Sequence, residues 1–247
     1  MPETSYDIET MSWPQVETAL ESIDAIVLPL GSTEQHSRHL PLAVDTLRAD
    51  HLTAELVDRA PEFDLQLLRL PPLPYGYSAH HMRFPGTISI DAQTYTDVLV
   101  DIGRSLDTHG IDRLMVLNFH GGNREPIKLA TDRLQRETDL TVHPIGWAAF
   151  AEDALIEVFG DDHGHAGEHE TSVLEVYRPD LVDADRKEPQ RVADRPETGR
   201  YAYFDQITEQ GGLGDPTAAD PAIMSEIIAE TTEAILTAFR DDIESGW

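Results

Sequence analysis

The sequence predicts an α/β fold in which a mainly parallel sheet carries helices on its faces. Three observations carry that expectation. Short apolar runs end abruptly in glycine or polar turns, amphipathic stretches of helical spacing follow them, and this rhythm repeats along the 247 residues without a linker that would divide them. A single domain over 1–247 is therefore expected.

The elements follow in order. Asp24 to Leu30 is an apolar run stopped by Gly31, as expected of a buried strand feeding a loop. Asp45 to Ala60 shows helical spacing, with Leu47, Leu52, Leu56 and Val57 as its apolar members. Leu65 to Leu70 suits a strand, and Pro71 to Gly86 is too rich in Pro, Gly and His for regular structure. Asp91 to Thr108 predicts a helix, Arg113 to Asn118 a strand, Asn123 to Glu137 a helix and Leu140 to Ile145 a strand. Residues 179–210 are irregular and polar, Gly211 to Pro216 forms a turn cluster, and Pro221 to Asp242 predicts a last amphipathic helix.

Eighteen basic residues against 46 acidic ones leave a net charge of −28, and Lys128 and Lys187 are the only lysines. Like-charge repulsion opposes contact with nucleic acid or an anionic membrane. The acidic residues are spread along a chain that is still 40% hydrophobic, which predicts a folded, halophilic protein with a self-repelling surface. An acidic ligand-binding role is the weaker alternative. There is no cysteine, so any metal must be held by His, Asp and Glu. The N-terminus lacks the basic and apolar regions of a signal peptide and no run approaches the ~20 apolar residues of a membrane span, so a cytoplasmic location is expected.

Three polar segments stand out. Gly31-Ser-Thr-Glu34-Gln-His36 is followed by Asp45, Asn118-Phe-His120-Gly-Gly-Asn123 ends an apolar run, and His165-Ala-Gly-Glu168-His169-Glu170-Thr-Ser172 lies further on. Glu34 and His36 point to one side of an extended backbone, and Asp45 at a helix start can close over the same point. Singly, these three read equally well as a surface charge, a loop residue and a helix cap. His120 stands before two glycines that admit a ligand, although it also reads as a structural histidine. Together the segments offer the imidazoles and carboxylates that hold two divalent metals and a water. His165 to His169 also matches the inverted H-x-x-E-H spacing of zinc peptidases, provided the segment is helical. Ser78, His80 and His81 either line a substrate pocket or are loop histidines and their neighbour. Trp147 is a pocket wall or a core residue.

These segments, with Tyr75-Gly-Tyr-Ser78, Phe84-Pro-Gly-Thr87 and Gly214-Asp-Pro216, resemble the creatininase (creatinine amidohydrolase) family from Trp13 to about Pro216. The resemblance implies a three-layer α/β/α sandwich, usually hexameric, with two divalent metal ions per subunit, whether zinc, manganese or iron. It implies Glu34, His36, Asp45, His120 and Glu168 as ligands, with Asp45 bridging. Glu34 and His120 then serve the first metal, and His36 and Glu168 the second. His165 becomes the proton-transfer residue, while Glu170 either orients His165 or anchors its loop. Ser78, His81 and Trp147 are the candidate substrate contacts.

Family members that open creatinine carry a glutamate two residues after the histidine of the second motif, where this chain has Gly122. That departure argues against creatinine as the substrate and makes Glu168 the candidate for the missing carboxylate. The wider family resembles formamide deformylases, peptide-processing enzymes of a redox-cofactor pathway and other amidohydrolases. The expected activity is hydrolysis of a non-peptide C–N bond, a cyclic amide or formamide, of a small molecule by a metal-bound hydroxide. The alternatives are a zinc peptidase built on His165 to His169, cofactor-peptide processing, and a non-catalytic metal-binding paralogue.

Overall fold

A computed structural model describes residues 6–161, 164–190, 198 and 200–246. Its centre is a four-stranded parallel sheet of β1 (Ala25–Leu30), β2 (Leu67–Arg69), β3 (Arg113–Asn118) and β4 (Thr141–Gly146), in the order β2-β1-β3-β4. Around it run α1 (Trp13–Ala19), α2 (Val44–Arg59), α3 (Ala92–Thr108), α4 (Arg124–Glu137), α5 (Trp147–Phe159), α6 (Glu168–Tyr177) and α7 (Pro221–Ser245).

The period of two along each strand sorts the core into two layers. Ala25 and Val27 of β1 and Met115, Leu117 and Phe119 on β3 and its extension pack with Leu52 and Leu56 of α2, Trp147 and Leu155 of α5, and Ile235 and Phe239 of α7. Ile26, Leu28 and Leu30 join Leu114 and Val116 on the opposite face, against Tyr95 and Leu99 of α3 and Ile127 and Leu134 of α4. With a sheet between two helical layers, the fold is the expected α/β/α sandwich.

Most predicted elements fall within a few residues of those observed. Asp91 caps α3 by accepting from the Gln93 N–H at 3.0 Å. Residues 71–86 are irregular apart from a 3₁₀ turn at Ala79–His81. Three helices go beyond the expectation. α1 is a short N-terminal piece, α5 begins directly on the last strand, and α6 begins at Glu168 and not at His165. Ala166 has φ 51°, in the left-handed region, which breaks any helix that would include both His165 and His169. The peptidase-type arrangement of two histidines on one helical face is therefore absent.

The strand order positions the site. β1 leads to β2 on one side, β3 leads to β4 on the other, and the crevice beyond the carboxyl ends of β1 and β3 is the topological switch point. Gly31 lets the chain leave β1 directly against the start of α2, since a Cβ there would come within 2.6 Å of Thr46 Cα.

Candidate metal centre

Glu34 and His36 follow β1, His120 follows β3, Asp45 sits in the first turn of α2, and Glu170 projects from the first turn of α6. All five are buried. Asp45 turns Oδ1 toward His36 Nε2 (3.4 Å) and Oδ2 toward His120 Nδ1 (3.2 Å). Glu34 Oε1 lies 3.3 Å from His120 Nδ1, and Glu170 Oε2 lies 3.4 Å from His36 Nε2. Glu34, Asp45 and His120 thus converge on one point, and His36, His165 and Glu170 on another, each within the reach of a single ion.

Backbone carbonyls set the tautomers, because a carbonyl can only accept. His36 Nδ1 donates to Glu34 O at 3.1 Å, His120 Nε2 to Tyr77 O at 3.0 Å, and His165 Nε2 to Gln35 O at 2.7 Å. With each ring neutral, as a metal ligand must be, its bare nitrogen faces the carboxylates. Lone pairs therefore face lone pairs, and Glu34 Oε1, His36 Nε2 and Asp45 Oδ2 are buried without hydrogen-bond partners. Cations resolve such an arrangement. Two ligand atoms at about 2.0–2.2 Å from one ion stand roughly 3.3–3.6 Å apart at tetrahedral angles, which matches these separations.

The electrostatics point the same way. Burial works against ionising Glu34, Asp45 and Glu170, yet His120 beside Glu34, His36 beside Asp45 and above all Arg48 beside Glu170 hold their carboxyls below the usual range. Burial opposes charge on His36 and His120 as well. The facing carboxylates reverse that and raise both rings' affinity for a positive charge. His165 is instead pushed down, first by burial and then by His36. Its Nδ1 is also further out, 3.6 Å from Glu34 Oε1 and 3.9 Å from Glu170 Oε2.

The expected role of Glu168 is corrected by the helix it starts. Its Oε1 accepts the Asp215 N–H and its carboxylate lies against Gly214, so it ties α6 to the 211–216 turn. Glu170, and not Glu168, supplies the carboxylate opposite His36. Gly122 has no room for one, because a Cβ there would lie 2.1 Å from Tyr77 O and 2.4 Å from His120 Nε2.

Two expected substrate contacts are corrected too. Trp147 is 1% exposed and packs in the core against Phe119. The Ser78 hydroxyl is spent on Ser32 Oγ (2.6 Å) and His120 Nε2 (3.1 Å), beneath the site. His81 does line the cleft, beside His80, His165 and His169. Its Nδ1 accepts from Gln35 Nε2 at 2.8 Å, so its N–H faces Glu34 Oε1 at 3.4 Å.

The cleft has a volume of about 1130 Å³. Residues that sequence reasoning missed complete its walls. Phe204 packs at a tilt against His81 with centroids 4.0 Å apart and borders His165 edge-on at 5.1 Å, although it comes from a stretch with no sequence signal. Arg48 lies within the apolar spacing of α2 and is visible only once folded.

The sequence profile of the creatininase family, creatinine amidohydrolase, matches residues 9–239. The mycofactocin precursor peptide peptidase of Mycobacterium ulcerans (strain Agy99) is 36% identical over 216 residues, 85% of this chain and 82% of that one. The creatinine amidohydrolase of Pseudomonas putida is 32% identical over 195 residues, 71% and 73% of the two chains. Among solved structures, a manganese creatininase superposes with TM-score 0.84 at 27% identity, covering 97% of this chain and 99% of that one. A creatininase variant of Zn-Zn type gives 0.83 at 27% identity, with 97% and 99% covered. Fold, sequence and site agree: the chain belongs to the creatininase family, as a hydrolase of carbon–nitrogen bonds with metal-binding groups in its cleft.

Proposed function

We propose that the protein is a dinuclear-metal amidohydrolase whose substrate is a small molecule bearing a non-peptide amide or formamide. The observation that carries this reading is the set of bare imidazole nitrogens facing buried carboxylates. Glu34, Asp45 and His120 would hold one divalent ion, and His36, Asp45 and Glu170 the other, with one oxygen of Asp45 toward each. Zinc, manganese and iron all suit such a sulfur-free set. When bound, the ions supply Lewis acidity toward the scissile carbonyl and lower the pKa of a water.

The remaining steps belong to side chains. His165, oriented by its Nε2–H bond to Gln35 O, accepts a proton from the attacking water at Nδ1 and returns it to the departing nitrogen. The products are a carboxylic acid and an amine. His81 keeps its N–H toward Glu34 and steadies that carboxylate, as an outer hydrogen-bond donor does for a ligand. Phe204 and His80 wall the approach and limit water.

A second reading, trimming of a short peptide, is favoured by the curated relative at 36% identity and by a cleft roomier than the usual ~300–1,000 Å³ ligand pocket. Creatinine is disfavoured, because Gly122 excludes the glutamate expected of creatinine-opening members.

The test has two parts. Elemental analysis of protein purified without chelators should approach two ions per chain, and chelation should abolish turnover. A panel of formamides, cyclic amides, creatinine and short peptides, followed by product mass, should show release of an amine from a small amide. Peptide cleavage alone would move the assignment to the second reading, and metal-indifferent turnover would overturn both.

A further inference from the structure

Arg48 is the only arginine or lysine among the described residues that is fully buried, and it lies one turn beyond Asp45 on α2. Its Nη1 donates to Glu170 Oε1 at 2.5 Å and stands 3.8 Å from Asp45 Oδ1. The guanidinium is held over the rings of Trp147 and Phe119, 5.6 and 5.9 Å from their centroids. Its Nε is buried without a hydrogen-bond partner, so the group is not there to complete its own hydrogen bonding.

Glu170 explains the placement. It reaches the cluster from α6, while the neighbouring ligands come from the ends of β1 and β3 and from α2. A carboxylate on a separate helix can swing, rotate or take up a proton unless both oxygens are engaged. The Ala166 N–H donates to Oε2 at 2.7 Å from one side, and Arg48 takes Oε1 from the other. Each oxygen keeps one lone-pair direction: that of Oε2 faces His36 Nε2, while Oε1 lies 3.8 Å from His169 Nε2. Lysine at this place would offer one charged donor without the planar face that stacks on the two rings.

We propose that Arg48 is the positioning residue of the second half of the centre: by clamping Glu170 Oε1 it presents a single oxygen to the ion shared with His36 and Asp45, and so sets the affinity of that half for its metal. The proposal rests on the dinuclear reading and can fail separately from it.

Metal-stripped full-length protein, titrated with zinc and separately with cobalt followed by its visible absorption, provides the test. Wild type should take up two ions. Arg48→Met should keep the Glu34, Asp45 and His120 ion and bind the second at least tenfold more weakly. Arg48→Lys should recover part of the loss, and the Arg48→Met, Glu170→Gln double variant should be no worse than Glu170→Gln alone, because both act on one contact. Thermal unfolding of the stripped forms checks that each variant folds, and Arg48→Gln replaces Arg48→Met if that chain does not. Two ions at wild-type affinity in the neutral variant overturn the role of Arg48 and leave the dinuclear reading standing. A wild type that binds no ion overturns both.

Discussion

Glu168 and Glu170 are two residues apart, so on a helix their side chains leave in directions about 200° apart and one site can receive only one of them. Which one depends on where the helix starts, and the Ala166 turn that sets this start is invisible in a residue pattern. The two carboxylates should therefore separate by experiment. Glu170→Gln should lose one metal ion and nearly all activity, because an amide is a poorer ligand and leaves the ion's charge less compensated. Glu168→Gln should keep both ions and lose stability, by about 1–2 kcal/mol for a weakened buried hydrogen bond, measured as a lower denaturant midpoint. The histidines divide in the same manner. His165→Ala should retain its metals and lose rate by about 10²–10⁴-fold, the usual worth of a positioned proton-transfer group. His169→Ala, which alters a cleft residue beside Glu170 Oε1, should retain both ions and most turnover. Metal loss in His169→Ala, read by elemental analysis, would contradict this arrangement.

Among the elements, the strands and long helices announced themselves because burial imposes a period. β1 and β3 are buried along nearly their whole length and read as apolar runs, and α3 carries its apolar stripe between a clear cap and a glycine stop. α5 was not legible, since its first turn follows β4 directly through Gly146, which has no side chain to cap a helix. α6 was obscured by Gly164 and Gly167, which serve the approach of Leu213. Its middle is tied to the start of α7, where Ser172 Oγ accepts the Asp220 N–H at 2.9 Å and Asp220 Oδ1 accepts from Ala222 and Ile223. Asp220→Ala removes that cap, and thermal unfolding should show a loss of about 1 kcal/mol with metal content unchanged. Gly122→Ala belongs to the same scale, because its Cβ would push apart the Tyr77 loop and the His120 turn. It should cost about 1–3 kcal/mol, as overpacking does, and should loosen the ion held by His120. A variant with wild-type stability and metal affinity would show that the close approach is not required.

Over the whole molecule, a net charge of −28 means that folding concentrates like charge, and a buried cluster of three carboxylates adds to that cost locally. Two outcomes follow. The melting temperature should rise with potassium chloride as screening weakens self-repulsion. Chelation should lower it, and added zinc or manganese should restore it in a concentration-dependent manner, because an ion that binds only the folded state stabilises it by mass action. No described helix is long and apolar enough to cross a membrane. By itself the sequence determined the α/β class, the order of its strands and long helices, the family, and four side chains that the fold gathers into one buried cluster, Glu34, His36, Asp45 and His120. It could do so because those properties rest on local period, on spacing within a motif, or on a strand end that always faces the crevice. Tertiary structure alone decided that Glu170 and not Glu168 faces His36, that Arg48 donates to Glu170, that Phe204 lines the cleft, and that Trp147 and Ser78 are buried away from it. Each of those depends on the phase of a helix or on a contact between segments far apart in sequence, where packing, and not sequence spacing, fixes direction.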